Sequence, residues 1–207
     1  MNAAPSPITT SIGVHVGQAE GRSALCVAAF EPEPGSRIHR FTVRHLQSLP
    51  SGTSFHSLAE RLGDITHKLA AKRDGRPMIF VDLTGLGESV GHLIVESVPT
   101  WCPVYAAHIN RGDRRVLGRD RRVLVGKAFL VARLQMLLQC AKLALPRTRE
   151  AESLAEDLLK FTIPVDGRSE PGHEDTPFQV GSQDELVTAL GLAVHLDHRS
   201  FIAEDTL

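Results

Sequence analysis

The stretch Val81-Asp82-Leu83-Thr84-Gly85-Leu86-Gly87 decides the fold prediction because of the segments on either side of it. Residues 76–81 form a short apolar run entered from a turn, which predicts a buried strand. Residues 88–98 carry apolar side chains at helical spacing. An acidic residue thus lies between a strand and a helix. Open α/β sheets bind ligands at the carboxyl ends of their strands, so Asp82 is a candidate functional residue.

A second acidic position lies near the other end of the chain. Asp184 and Glu185 immediately precede the apolar segment 186–196, which we predict to be a helix. Carboxylate oxygens are the ligands that hard divalent cations prefer. Two acidic positions in such settings therefore predict a metal-centred site.

The remaining segments predict a single α/β domain over residues 11–200, preceded by a flexible tail over residues 1–10. Three strands with short turns between them favour an antiparallel arrangement, and two further strands alternate with helices. The predicted strands lie at 12–16, 24–30, 37–44, 76–81 and 103–109, and the other predicted helices at 55–72 (with Ser54 as N-cap), 127–145 and 150–161. This element order is that of the ribonuclease H-like fold, an α/β fold with a mixed five-stranded sheet flanked by helices. In that fold the first strand lies beside the fourth, which would bring His15, Asp82 and Asp184 (or Glu185) together.

Composition excludes several classes of protein. The formal net charge of −1 over 207 residues excludes a wholesale polycation, so any contact with nucleic acid requires a local basic patch. No apolar run approaches the ~20 residues that span a bilayer, and residues 1–7 do not resemble a secretory signal. The three cysteines are expected to be buried free thiols, which suits a reducing compartment. We expect a cytoplasmic protein without a membrane contact.

A dense basic cluster follows the fifth predicted strand. Residues 110–122 hold six arginines and two aspartates, and guanidinium groups bind phosphate in a bidentate manner. The cluster lacks interleaved aromatic residues, which favours contacts with the backbone of a duplex over stacking on single strands. We therefore expect double-stranded DNA as a partner, with a solvated hairpin or a subunit contact as the alternative. The expected DNA-binding residues are Arg111, Arg114, Arg115, Arg119, Arg121, Arg122 and Lys127.

Four motifs are informative because of their order and spacing along the chain. They are Gly-Val-His-Val-Gly at 13–17, the stretch 81–87, Val-Gly-Lys at 125–127 and the segment 184–194. Together they resemble the nuclease domain of the large terminase subunit, which packages DNA into tailed phages. The resemblance implies an endonuclease that cuts double-stranded DNA with one or two Mg²⁺ or Mn²⁺ ions, in the cytoplasm of the host cell if the chain is phage-derived. It assigns catalysis to Asp82 and Asp184, and metal binding to these two with Glu185 and His15. Since the chain has no Gly-x-x-x-x-Gly-Lys-Ser/Thr loop, a separate packaging ATPase or a portal is an implied partner.

The resemblance breaks at His15, where the family usually has Asp. A neutral imidazole offers a metal one nitrogen lone pair, so it cannot bridge two cations and adds no negative charge. This substitution predicts a weakened centre. The main alternative is a catalytically degenerate DNA-binding or protein-docking module of the same fold. A third alternative is an actin-like nucleotide-binding fold, in which residues 82–87 cradle a nucleotide.

Overall fold

The computed structural model describes residues 9–18, 21–33, 35–36, 38–71, 77–163 and 178–196. Its described residues form one eight-stranded mixed sheet with helices on both faces. The strands are β1 (Thr9–His15), β2 (Ala24–Glu31), β3 (Arg40–Ser48), β4 (Met78–Asp82), β5 (Val104–Asn110), β6 (Arg115–Leu117), β7 (Arg122–Gly126) and β8 (Leu143–Ala144). The helices are α1 (Phe55–Ala71), α2 (Glu88–Ser97), α3 (Lys127–Gln139), α4 (Arg149–Lys160) and α5 (Asp184–Val194).

The strand order β6-β7-β5-β4-β1-β2-β3-β8 contains the five predicted strands as a continuous block. Within this block β1, β2 and β3 are antiparallel neighbours, while β1, β4 and β5 run parallel. This arrangement confirms the ribonuclease H-like fold class. The predicted number of strands was too small, because β6, β7 and β8 extend the sheet at its two edges.

Two of the added strands come from the arginine-rich segment. β6 and β7 pair as an antiparallel hairpin, and β7 continues the parallel part of the sheet beside β5. Asp120 and Arg121 turn the hairpin with φ of 57° and 56°. The alternation in β7, with Val123 and Val125 buried and Leu124 exposed, is the sequence signal for this strand.

The prediction of one long helix over residues 127–145 was also wrong, at its C-terminal end. α3 ends at Gln139, and Ala141 adopts a left-handed conformation with φ of 53°. The chain then leaves the helix, so Leu143 and Ala144 pair in parallel with β3. Helical periodicity alone could not show this stop, because no Gly or Pro marks it.

Helices α1 and α2 cover one face of the sheet, and α3, α4 and α5 cover the other. Helix α5 lies very close to β1: a Cβ on Gly13 would lie 2.0 Å from the carbonyl oxygen of Ala189. Each residue of α5 from Leu186 to Val194 is buried, so this helix is the central element of that layer.

Some predictions concern residues outside this description. The first eight residues of the expected tail lie outside it, whereas Thr9 and Thr10 belong to β1. Cys26 and Cys102 are buried as expected, but Cys140 is exposed because it follows the last turn of α3. Among the described helices, none has the length and apolar character needed to cross a membrane.

Candidate metal and DNA-binding site

The carboxyl ends of β1, β4, β5 and β7 lie along one edge of the sheet, because these strands are parallel. His15 ends β1 and is the register partner of Asp82, which ends β4. Lys127 follows β7, and α5 begins at this edge with Asp184. A pocket of about 270 Å³ lies here, lined by His15, Val16, Gln18, Asp82, Thr84, Ile109, Lys127, Gln179, Asp184 and Thr188.

Asp82 is held on both carboxylate oxygens. Its Oδ2 lies 2.9 Å from Nδ1 of His15, and its Oδ1 accepts hydrogen bonds from the backbone N–H and the hydroxyl of Thr84, at 3.0 and 2.5 Å. The Thr84 hydroxyl oxygen in turn accepts the backbone N–H of Ile109 on β5 at 2.7 Å. Asp82 is only 6% exposed, so these contacts fix its carboxylate at the pocket.

Lys127 is a buried cation within the same pocket. Only 1% of the residue is exposed, and its Nζ lies 2.9 Å from the Asp184 carboxylate and donates to the Thr188 hydroxyl at 2.6 Å. Burial lowers the pKa of Lys127, while the negative charges of Asp184, Asp82 and Glu185 act in the opposite direction. Asp184 also accepts the backbone N–H of Val180 at 2.8 Å.

The structure therefore corrects the expectation for Lys127. Its ammonium belongs to the pocket rather than to the surface that we expected to contact DNA. Glu185, expected as a further metal ligand, is not among the described residues that line the pocket. Its carboxylate instead accepts a hydrogen bond from the Ser48 hydroxyl at the end of β3, at 2.9 Å.

The donor set does not fit two bridged cations, and in the described arrangement it does not yet form a site for one. His15, Asp82 and Asp184 line one pocket, but His15 cannot bridge and Lys127 already offsets the charge of Asp184. Within the described part of the chain, no three His, Cys, Asp or Glu side chains form a group that could hold a metal ion. One cation would therefore need Asp184 to turn from Lys127 towards Asp82 and His15.

The arginine hairpin, residues 111–122, flanks this site. Val123 on β7 aligns with Asp82 through Ala107 on β5, so β7 is two strands, or about 10 Å, from Asp82, and β6 is one strand further. Arg114, Arg119, Arg121 and Arg122 are exposed. Arg115 is partly buried and donates to the backbone carbonyl of His195 at 2.8 Å, which ties the hairpin to the end of α5. Arg111 is also partly buried, so four of the six arginines face solvent.

Sequence reasoning missed the roles of Lys127, Thr84 and Thr188 in the pocket. The signal for Lys127 was present, because it follows an apolar strand directly, as Thr84 and its turn follow β4. The Thr84 contacts follow from the tight turn after Asp82, which cannot be inferred from residue spacing alone.

The strand order and the helices on both faces define a protein with the ribonuclease H-like fold. Three solved structures of the human cytomegalovirus terminase nuclease domain share the fold. The unsoaked domain superposes with a TM-score of 0.57 at 15% identity, covering 97% of this chain and 89% of that one. An Mn-soaked, inhibitor-bound form gives 0.58 at 14% identity with the same coverage, and an Mn-soaked form gives 0.56 at 15%, covering 90% and 82%. No protein-family model and no curated protein matches the sequence.

Proposed function

We propose that this chain is a nuclease domain of the terminase type that binds double-stranded DNA and cleaves it with one divalent cation. The observation that carries this proposal is the convergence of His15, Asp82 and Asp184, from three distant parts of the chain, on one pocket beside the arginine hairpin. The similar viral domains were soaked with manganese, which supports a divalent metal in this fold. A DNA-packaging role, with a separate ATPase or a portal as partner, is part of the same proposal.

Each pocket residue has a distinct task in this proposal. His15, Asp82 and Asp184 would hold the cation, which supplies charge neutralisation at the phosphate and activates water. Thr84 fixes one oxygen of Asp82, so that the carboxylate keeps one orientation. Lys127 holds the Asp184 carboxylate at the pocket through its contact at 2.9 Å until a cation draws it towards Asp82. The exposed arginines bind the phosphate backbone and set the position of the duplex.

The second candidate is a DNA-binding module without cleavage. The Lys127–Asp184 pair favours it, because an ammonium already offsets the carboxylate that a metal would need. The His15–Asp82 contact favours it as well, since the two side chains bind each other directly with no cation between them.

Plasmid cleavage separates the two candidates. Supercoiled plasmid is incubated with the protein in Mn²⁺, Mg²⁺ or EDTA, beside the isosteric variants Asp82→Asn and Asp184→Asn. Glu96→Gln, on the exposed side of α2, is the control for loss of one negative charge. Under the nuclease proposal, nicking requires Mn²⁺ or Mg²⁺, disappears in both Asp variants and persists in Glu96→Gln.

A parallel gel-shift series with duplex DNA at increasing KCl completes the test. Salt-sensitive binding without nicking would identify the second candidate. Absence of both nicking and binding would contradict the proposed function as a whole.

A further inference from the structure

A second cavity, of about 350 Å³, lies between α1 and β3 and shares no lining residue with the pocket at Asp82. We call it the α1–β3 cleft. Its floor is aliphatic, and its rim carries three cationic side chains, one carboxylate and one imidazole. The lining residues are Val27, Arg44, His45, Arg61, Asp64, Ile65, Lys68 and Leu69.

An irregularity in β3 forms one side of the cleft. Val27 on β2 pairs with His45, but the next residue, Ala28, pairs with Val43, so Arg44 is an extra residue in β3. Such a bulge interrupts the alternation of side chains along a strand. As a result, Arg44 and His45 are consecutive in sequence and both line the cleft.

Helix α1 supplies the opposite side. Arg61, Asp64 and Lys68 lie at helical spacing on its exposed surface, and Ile65 and Leu69 face the sheet beneath them. Gln47 links the two sides, because its side-chain oxygen accepts from Arg61 and lies 3.2 Å from Nε2 of His45. The three cations face a single carboxylate, Asp64, in a protein whose net charge is −1.

The shape and chemistry of the cleft select its ligand. A cavity of about 350 Å³ lies at the lower end of the range for small-ligand pockets, about 300–1,000 Å³, and cannot enclose a double helix. Among the described lining residues there is no Phe, Tyr or Trp ring on which a nucleobase could stack, and His45 is the only aromatic side chain. An aliphatic floor with a cationic rim complements an aliphatic side chain flanked by carboxylates. We propose that the α1–β3 cleft binds an extended acidic peptide segment of a partner protein, with Leu or Ile on the floor and Asp or Glu at the rim.

A fluorescence-anisotropy titration with the full chain tests this proposal. The probe is a fluorescein-labelled peptide, Asp-Glu-Leu-Ile-Asp-Glu. Two control peptides replace either Leu-Ile by Ala-Ala or the four acids by their amides. The protein variant is Arg61→Glu/Lys68→Glu, and its matched control is Arg149→Glu/Lys160→Glu on the exposed surface of α4, which makes the same change in net charge. Thermal melts of both variants establish that they are folded.

We expect the cleft variant to bind the acidic peptide at least about tenfold more weakly, while the α4 variant stays within about twofold of the wild type. Both control peptides should also bind at least about tenfold more weakly than the probe to the wild type. An equal loss of peptide affinity in the two variants would show that only the net charge of the protein matters, and this would overturn the proposal. It would also be overturned if the cleft variant lost affinity for a 20-base-pair duplex beyond the α4 variant, because the cleft would then contact DNA. This test is independent of cleavage and of any metal.

Discussion

At the scale of single residues, His15 determines how much negative charge the pocket offers a cation. It pairs with Asp82 at 2.9 Å, where a second carboxylate would repel Asp82 in the absence of metal. Compared with an Asp at this position, His15 avoids repulsion with Asp82 in the metal-free protein, but it offers a cation one negative charge fewer. Substitution of His15 should therefore change metal affinity and stability in opposite directions.

His15→Asp is expected to raise the affinity for Mn²⁺ by about tenfold or more, since an added ligand carboxylate increases the charge of the donor set. Without metal it should lower Tm, because two carboxylates would then be neighbours. Isothermal titration calorimetry and melts with and without Mn²⁺ measure both effects. His15→Asn, which is neutral, is the control; an equal gain in affinity for both variants would exclude charge as the cause.

Lys127 and Asp184 form the second residue-scale feature, a largely buried ion pair. Burial disfavours the charged form of Lys127 and lowers its pKa. The attraction to Asp184 mainly compensates this cost of burying the ammonium, so the pair adds little net stability. Removal of one partner should nevertheless destabilise the protein, because it leaves the other partner partly desolvated and unpaired.

Lys127→Met is expected to lower the free energy of unfolding by about 1–3 kcal/mol, because it leaves Asp184 without its cation. Asp184→Asn should also destabilise, since the buried ammonium then lacks its counter-charge. The double variant should lose less than the sum of the two single losses. Urea unfolding of the wild type and the three variants forms the cycle, and strict additivity would show that the two groups do not interact.

At the scale of elements, the contact of β1 with α5 brings the two halves of the site together. Gly13 allows the helix backbone to approach the strand, and the Ser11 hydroxyl donates to the carbonyl of Ala193. His15 and Asp184 are placed by these same two elements. The site therefore depends on a close backbone contact some distance from its own side chains.

Gly13→Ala is expected to destabilise the protein by about 1–3 kcal/mol or more, since the added Cβ would meet the Ala189 carbonyl oxygen at 2.0 Å. Relaxation of α5 would also move Asp184, so DNA cleavage or metal binding should fall together with stability. Chemical denaturation measures the effect. Gly87→Ala is the control, because a Cβ there would lie 3.7 Å from its nearest neighbour, Ser89; a similar loss at both positions would argue against the close contact as the cause.

Periodicity predicted most of these elements, for identifiable reasons. α1 and α2 were predicted within a residue of their ends, and Ser54 was correctly identified as the N-cap of α1, accepting the N–H of Ser57 at 3.1 Å. The short edge strands β6 and β8 were missed because two or three residues carry too little pattern. The left-handed turn at Ala141 was missed because nothing in its side chain requires that conformation.

At the scale of the whole molecule, topology accounts for what could be predicted of the site. Once β1 was placed beside β4, His15 and Asp82 had to be neighbours, and the structure makes them register partners. The partners of each carboxylate could not be predicted in this way. Lys127 meets Asp184 only because β7 extends the parallel sheet and delivers α3 to the same edge, and β7 was not predicted.

Two roles of the arginine hairpin concern the whole molecule: protection of the β6 edge and binding of DNA. Its strand β6 is an edge of the sheet, and charged residues on an edge prevent pairing with other chains. Arginines that bind DNA would instead release counterions, so that log K falls with log salt by about 0.9 for each phosphate contact. Both purposes require exposed arginines, and only the salt dependence of DNA binding distinguishes them.

Arg114→Gln/Arg119→Gln is therefore expected to reduce the salt slope of duplex binding by about 1–2, as one or two phosphate contacts are lost. Affinity should fall similarly for unrelated DNA sequences, because phosphate contacts carry no base information. Anisotropy titrations at about 50, 100 and 200 mM KCl provide the measurement, because slopes of this size are measurable over that range. Arg147→Gln, exposed before α4, is the control. An unchanged slope together with new self-association in size-exclusion chromatography would assign the arginines to protection of the β6 edge.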